Sequence, residues 1–253
     1  MLNAVPTKAL ILAAGVGRRL SESEEHRGKP KALLHFQGAS LMARHIAALR
    51  HAGITDITVI AGFAAGMMQP ALAELGGDPA VAVLVNPDFR EGSVVSLWTG
   101  RDVLRSGAPV ILMDADVLYD DRLMARLVTT EKPDCLLLDR EIEPGDEPVK
   151  LCIANGRIVD FHKRPTISHE WHGESVGFFR FTAQTASELA DRADAYVTTG
   201  RRHMEYEEPI RDMILESAPG RFGFEDITGL PWTEIDFPED VVKANNLLPE
   251  LAN

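Results

Sequence analysis

Two groups of residues in this chain have the types and spacing for phosphate chemistry. The first is LILAAGVGRRL (residues 10–20), an apolar run that ends in Ala13 and Ala14 and then gives Gly15, Gly17 and the adjacent Arg18 and Arg19. A bare turn needs glycine but no arginine, whereas a phosphate cradle uses both. Glycine lets backbone N–H groups come close to an anion, and a guanidinium grips phosphate oxygens in pairs. After the polar excursion SESEEHRG come Lys29, Pro30 and Lys31. Pro30 stiffens the return, and Lys31 re-enters the same site as a point charge. The loop is not a Walker A loop, because no Gly-Lys-Ser/Thr follows its glycines. It is not a dinucleotide fingerprint either, because Leu20 stands where the third glycine belongs. The second group is MDADV, where Asp114 and Asp116 are two apart at the end of a strand-like run and so share a face if the strand continues. A strand-end carboxylate suits a divalent cation that draws two phosphates together. Helix capping by Asp116 or Asp120 is the structural alternative.

These residues need a scaffold that points them at one place. Residues 8–13, 56–62, 80–86, 109–117 and 134–139 read as strands. Residues 40–53, 66–75, 94–107 and 121–130 read as the helices between them. That rhythm predicts an α/β fold with a mostly parallel sheet and helices on both faces, whose ligands sit beyond the carboxyl ends of the strands. The second half is less regular. Asn155-Gly156 between two alternating segments predicts a hairpin with a type I′ turn. Residues 173–181 read as a strand, TAQTASELADRAD and EPIRDMILESA as helices, and PWTEIDF as a strand ending at Asp236 before a helix that begins near Pro238. With no linker to divide it, the chain reads as a single domain over 1–253, with a lid and acceptor-binding subregion at about 140–210.

The 253 residues carry a net charge of −12, which excludes a general nucleic-acid binder but not a small anionic substrate held by a few focused cations. The apolar runs are too short to insert in a membrane, and no leader pattern opens the sequence, so a cytoplasmic protein is expected. Cys135 and Cys152 lie in apolar strand-like segments and read as buried free thiols. His162, His169 and His172 match no zinc spacing and read as loop histidines.

Leu12-Ala13-Ala14-Gly15-x-Gly17-x-Arg19-Leu20 with Pro30-Lys31 resembles the signature of the nucleotidyltransferases that make nucleoside-diphosphate sugars and alcohols, the MobA-like and sugar-nucleotidyltransferase fold. The resemblance implies a Rossmann-like, glycosyltransferase-A-type sheet with a small β-rich lid region. It also implies Mg²⁺ held by Asp116 and by Asp236 of the Glu234-Ile235-Asp236 element. Arg19 is expected to hold the β- and γ-phosphates, and Lys31 to bridge the α-phosphate and the incoming phosphate. Leu12, Ala13, Ala14, Gly15, Gly17, Gly62, Asn86, Ser96 and Asp114 are expected around the nucleotide, with Asp114 orienting the loop or touching the ribose. Family members often carry Pro-Leu-Thr after Arg-Leu, where this chain has Ser21-Glu22-Ser23.

VLVNPDFREGSVVSLW, ILMDADVLYD and WTEIDFPEDVVKA look closest to the phosphocholine cytidylyltransferase branch. This implies transfer of a cytidylyl group from CTP to a small phosphorylated alcohol or phosphonate of the phosphocholine, phosphoethanolamine or 2-aminoethylphosphonate type, with release of pyrophosphate. Glu205, Tyr206, Glu207 and Glu208 with Trp171 would surround a cationic amine, Glu174 would lie with them, and Lys163 would contact the acceptor phosphate. The plain alternatives are a solvated helix start and a surface lysine. A sugar-1-phosphate or inositol-1-phosphate nucleotidylyltransferase, a molybdopterin-type enzyme and a non-catalytic nucleotide-binding regulator stay open, as does a homodimer.

Overall fold

A computed structural model describes residues 5–20, 24, 27–76, 80–142, 145 and 147–251. The first half runs β1 (Lys8–Ala13), β2 (His35–Phe36), β3 (Ala39–Ser40), α1 (Leu41–His51), β4 (Asp56–Ala61), α2 (Ala65–Leu75), β5 (Ala82–Val85), α3 (Val94–Thr99), α4 (Arg101–Leu104), β6 (Val110–Asp114), β7 (Val117–Tyr119) and α5 (Asp121–Thr129). The second half runs β8 (Asp134–Asp139), β9 (Lys150–Ala154), β10 (Arg157–His162), β11 (Trp171–Phe181), α6 (Ala183–Thr198), α7 (Glu207–Glu216), β12 (Phe222–Asp226), β13 (Trp232–Glu234) and α8 (Pro238–Leu247).

The main sheet has the order β10-β9-β11-β6-β1-β4-β5, with β8 on β11 and β12 on β8. β6, β1, β4 and β5 are parallel neighbours, while β11 runs antiparallel to β6, β8 and β9. Alternate residues of the central strands feed opposite faces. Ala9, Ile11, Val59 and Ile111 pack with α1, α2 and α5, whereas Leu10, Ile60 and Leu112 pack with α3, α4, α6 and α7. The expected mostly parallel sheet with helices on both faces is therefore present. Asn155 and Gly156 both have positive φ, at 51° and 69°, as the type I′ turn requires. Both cysteines are buried. Among the described residues no helix is long and apolar enough to cross a membrane.

Two expectations are corrected. The helix read over 94–107 is two short helices, broken at Gly100, a weak helix former. The strand read over 109–117 stops at Asp114, because the chain bends at Ala115 and Asp116 and β7 leaves the main sheet to pair with β13. β12, which the sequence reading passed over, extends the sheet by pairing in parallel with β8.

Candidate active site

The bend after β6 and the C-terminal β13 converge. Ile235 N–H donates to the Asp116 carbonyl at 2.9 Å, which carries Asp236 to the side of Asp116. The start of α8 fixes Asp236 in turn: the Asp240 carboxylate accepts from the Asp236 and Phe237 amides at 2.9 and 2.7 Å. From the other side, Pro30 leads into a single 3-10 turn over Lys31–Leu33. The Lys31 stem lies against Gly17, whose φ of +60° and missing side chain make room: a Cβ there would stand 3.1 Å from Lys31 Cγ. Lys31 Nζ then lies 2.9 Å from Asp116 Oδ2 and is also paired with Asp236 Oδ1. Burial works against the ammonium, but the charges of Asp116 and Asp236 overcome it and raise its pKa.

Glu234 completes this centre. Carboxylate oxygens of Asp116, Glu234 and Asp236 all lie within 4.8 Å of one another. Enclosure in the cleft, then the charges of Asp116 and Asp236, push the Glu234 carboxyl above the usual carboxylate range. One lysine thus faces three carboxylates. Glu234 escaped the sequence reading as a ligand, although residues two apart on an extended chain share a face.

Arg19 stands beside the centre, 3.5 Å from Asp236 and 2.8 Å from Glu147, with its guanidinium 5.0 Å above the Phe237 ring. Ser21-Glu22-Ser23 lie outside the described residues. The rest of the glycine loop meets the loop after β4 through Phe63 N–H to the Ala14 carbonyl, at 3.0 Å. Leu12 and Ala13 accordingly end β1, Ala14, Gly15 and Gly17 follow it, and Gly62 follows β4. Asn86 and Ser96 are both buried, and Asn86 Nδ2 donates to Ser96 Oγ at 3.0 Å while Asn86 Oδ1 accepts from the Asp88 amide at 2.9 Å.

Next to the centre opens a cavity of about 650 Å³, whose wall includes Arg19, Asp114, Lys163, Glu174, Tyr206 and Glu207. Asp114 faces this cavity, and its Oδ2 accepts from the Tyr206 hydroxyl at 2.6 Å. Burial first, then Asp116 and Glu207, raise the Asp114 carboxyl well above its ordinary range. Lys163 Nζ lies 3.7 Å from Glu147, the carboxylate that also holds Arg19. The expected amine cage does not form as one unit. Tyr206 and Glu207 reach the cavity, but Glu205 is exposed and accepts from Ser93 Oγ at 2.5 Å. Trp171 packs against Phe224, with Arg140 over its ring. On a strand, residues 171 and 174 point to opposite faces, so Trp171 and Glu174 do not share one wall. Arg202 pairs with Asp88 and Glu91. His169 and His172 are 3.1 Å apart on the lid, away from the carboxylate centre.

The sequence profile of the MobA-like NTP transferase domain matches residues 9–160. "CMP-5'-(3-aminopropyl)phosphonate synthase" of Streptomyces rubellomurinus is 26% identical, over 96% of this chain and 39% of its own length. "CTP:phosphoglutamine cytidylyltransferase" of Campylobacter jejuni is 23% identical, over 92% of this chain and 97% of its own. The chain spans about half the length, or less, of the first curated relatives it matches. Among solved structures, the CTP:phosphocholine cytidylyltransferase of Streptococcus pneumoniae superposes with a TM-score of 0.75 at 22% identity, over 96% of this chain and all of the other, and shares the fold.

Proposed function

This chain belongs to the MobA-like NTP transferase domain family, and on that premise we propose that it transfers a cytidylyl group from CTP to a small phosphate- or phosphonate-bearing acceptor. The observation that carries the reading is Lys31, largely enclosed between the carboxylates of Asp116 and Asp236 and next to Arg19 at the mouth of an acceptor-sized cavity. The choice of CTP rests on the activities for which the relatives are named.

In this reaction an acceptor oxyanion attacks the α-phosphorus in line, the α–β bridging P–O bond breaks, and pyrophosphate leaves with that electron pair. The acceptor is already an anion, so no side chain has to act as nucleophile or base. The protein contributes position and charge. Lys31 holds the α-phosphate and the acceptor phosphate together. Arg19 exchanges Glu147 for the β- and γ-phosphates. Lys163 receives the acceptor from the lid side.

Three hard oxygen donors crowded around a single ammonium suit Mg²⁺, and Asp116 and Asp236 would hold it with Glu234 beside them. Bound there, the ion neutralises phosphate charge. The test is pyrophosphate release by the purified chain with Mg²⁺ and CTP, UTP, ATP or GTP, each with and without phosphate- and phosphonate-bearing acceptors. Release that needs both CTP and an acceptor is expected. Release only with UTP and a hexose-1-phosphate would give the sugar-nucleotide reading instead. Nucleotide binding without release from any acceptor would leave a silent regulator.

A further inference from the structure

The cavity beside the Lys31 centre contains one side chain with an unmet hydrogen-bonding need. Glu207 opens α7 and lines the cavity, and its Oε2 is buried without a hydrogen-bond partner. A buried carboxylate oxygen with no donor costs about 1–3 kcal/mol or more, so such an atom calls for a donor from a water, an ion or a ligand group. Nor is Glu207 a mobile surface acid. The preceding Tyr206 is held at both ends: its amide donates to Ser93 Oγ at 2.8 Å and its hydroxyl to Asp114 Oδ2 at 2.6 Å.

We propose that Glu207 reads the end of the acceptor remote from its phosphorus, and that this end is an ammonium carrying at least one N–H. The inference rests on the cytidylyltransferase reading and narrows its acceptor. Charge is the first argument. Among the described residues, ten carboxylates and three cationic side chains line the cavity. A neutral hydroxyl would satisfy Glu207 Oε2 but leave the repulsion between Glu207 and Asp114. A cation relieves both. The raised pKa of Glu207, to about 7 through burial and then the charge of Glu205, shows the same surplus of negative charge.

Hydrogen bonding is the second argument. Oε2 needs a donor, and a quaternary ammonium has none. Such a cation is held instead by a box of aromatic faces, and the rings near this cavity are engaged elsewhere. Of the rings that line it, Tyr206 meets Phe179 edge-on and donates its hydroxyl to Asp114, Trp232 Nε1 donates to Asp139, and the Phe237 ring lies under Arg19. Lys163, a cation that lines the same cavity, fits the phosphate or phosphonate end of such a zwitterion.

The experiment compares kcat/KM with CTP and Mg²⁺ for acceptors that differ only at that end: 2-aminoethylphosphonate, its N-methyl and N-trimethyl forms, and 2-hydroxyethylphosphonate. The same series is made for the phosphate esters, ending in phosphocholine, and inositol-1-phosphate is included. The primary and N-methyl amines are expected to exceed the trimethyl and hydroxyl analogues by about 100-fold, the worth of a hydrogen bond to a charged group. In Glu207→Gln that ratio should collapse to within about threefold, and a ratio is unaffected by any loss of folded enzyme. Equal or better turnover of the trimethyl or hydroxyl compounds, or an unchanged ratio in Glu207→Gln, overturns the inference and leaves cytidylyl transfer standing. No pyrophosphate from any acceptor, with amine binding seen by calorimetry, overturns the transferase reading but not the ammonium site. Loss of both overturns both.

Discussion

Lys31 Nζ lies 2.9 Å from Asp116 Oδ2 and pairs in the same place with Asp236, so a residue of the N-terminal loop joins carboxylates 85 and 205 positions away. The three segments that carry chemistry are thereby one unit before any substrate arrives. Replacing Lys31 should damage catalysis far more than folding. Lys31→Ala is expected to lower kcat by at least about 100-fold, the scale of losing one electrostatic stabiliser of the transition state, while the circular dichroism spectrum is retained. Near-normal turnover in the variant would remove the role assigned to the lysine.

The carboxylates around Lys31 should respond to metal. Mg²⁺ is expected to raise the melting temperature of the wild-type chain, with a stabilisation of roughly 1.4 kcal/mol at ten times its Kd. In Asp236→Asn the shift should shrink severalfold. Equal shifts in both proteins would place the ion elsewhere. Chelation by EDTA should abolish pyrophosphate release, and added Mg²⁺ should restore it.

Gly177 makes room for the Asp114–Tyr206 hydrogen bond. Its φ is +76°, and a Cβ there would stand 2.2 Å from Asp114 Oδ2. Gly177→Ala is therefore expected to cost about 1–3 kcal/mol in urea unfolding and to raise the KM for acceptor more than that for CTP. Tyr206→Phe, which removes only the donor, should cost about 1–2 kcal/mol. If Gly177→Ala leaves the acceptor KM unchanged, the Asp114 wall is not part of the acceptor site.

His45 gives the fold a pH dependence. It is fully buried, and its Nε2–H donates to the Ala115 carbonyl at 3.1 Å, behind the bend that presents Asp116. Burial lowers its pKa from 6.5 to about 4. Between those values the unfolded chain binds more protons than the folded one, so stability rises with pH across that window and is lost as pH falls through it. The full effect is on the order of 3 kcal/mol. Urea midpoints measured from pH 4 to 7 should show this slope in the wild type and a flatter one in His45→Gln. Parallel slopes would refute the assignment.

Much of this site was legible in the sequence because its signals are local. Gly17, Arg19 and Lys31 announce themselves by residue type and spacing, and Asp116 and Asp236 each lie two residues past a strand. What escaped depends on long-range geometry. Glu147 has no local signature, because its importance comes from meeting Arg19 and Lys163 across the cleft. That Asn86 donates to Ser96 is visible only in the fold. Trp171 and Glu205 were grouped with Glu207 by composition, and strand alternation and the Ser93 contact separate them. β12 was missed because FGFED has too little alternation to mark a strand that pairing with β8 creates.

The central claim is tested most directly by identifying the product. The intact chain would be incubated with CTP, Mg²⁺ and 2-aminoethylphosphonate, and the mixture followed by phosphorus NMR and mass spectrometry. The expected result is a compound in which the cytidine α-phosphorus is bonded to the phosphonate oxygen, formed in equal amount to pyrophosphate and absent with Lys31→Ala. Intact CTP, or CMP with no acceptor attached, across the full set of phosphate and phosphonate acceptors would contradict the account.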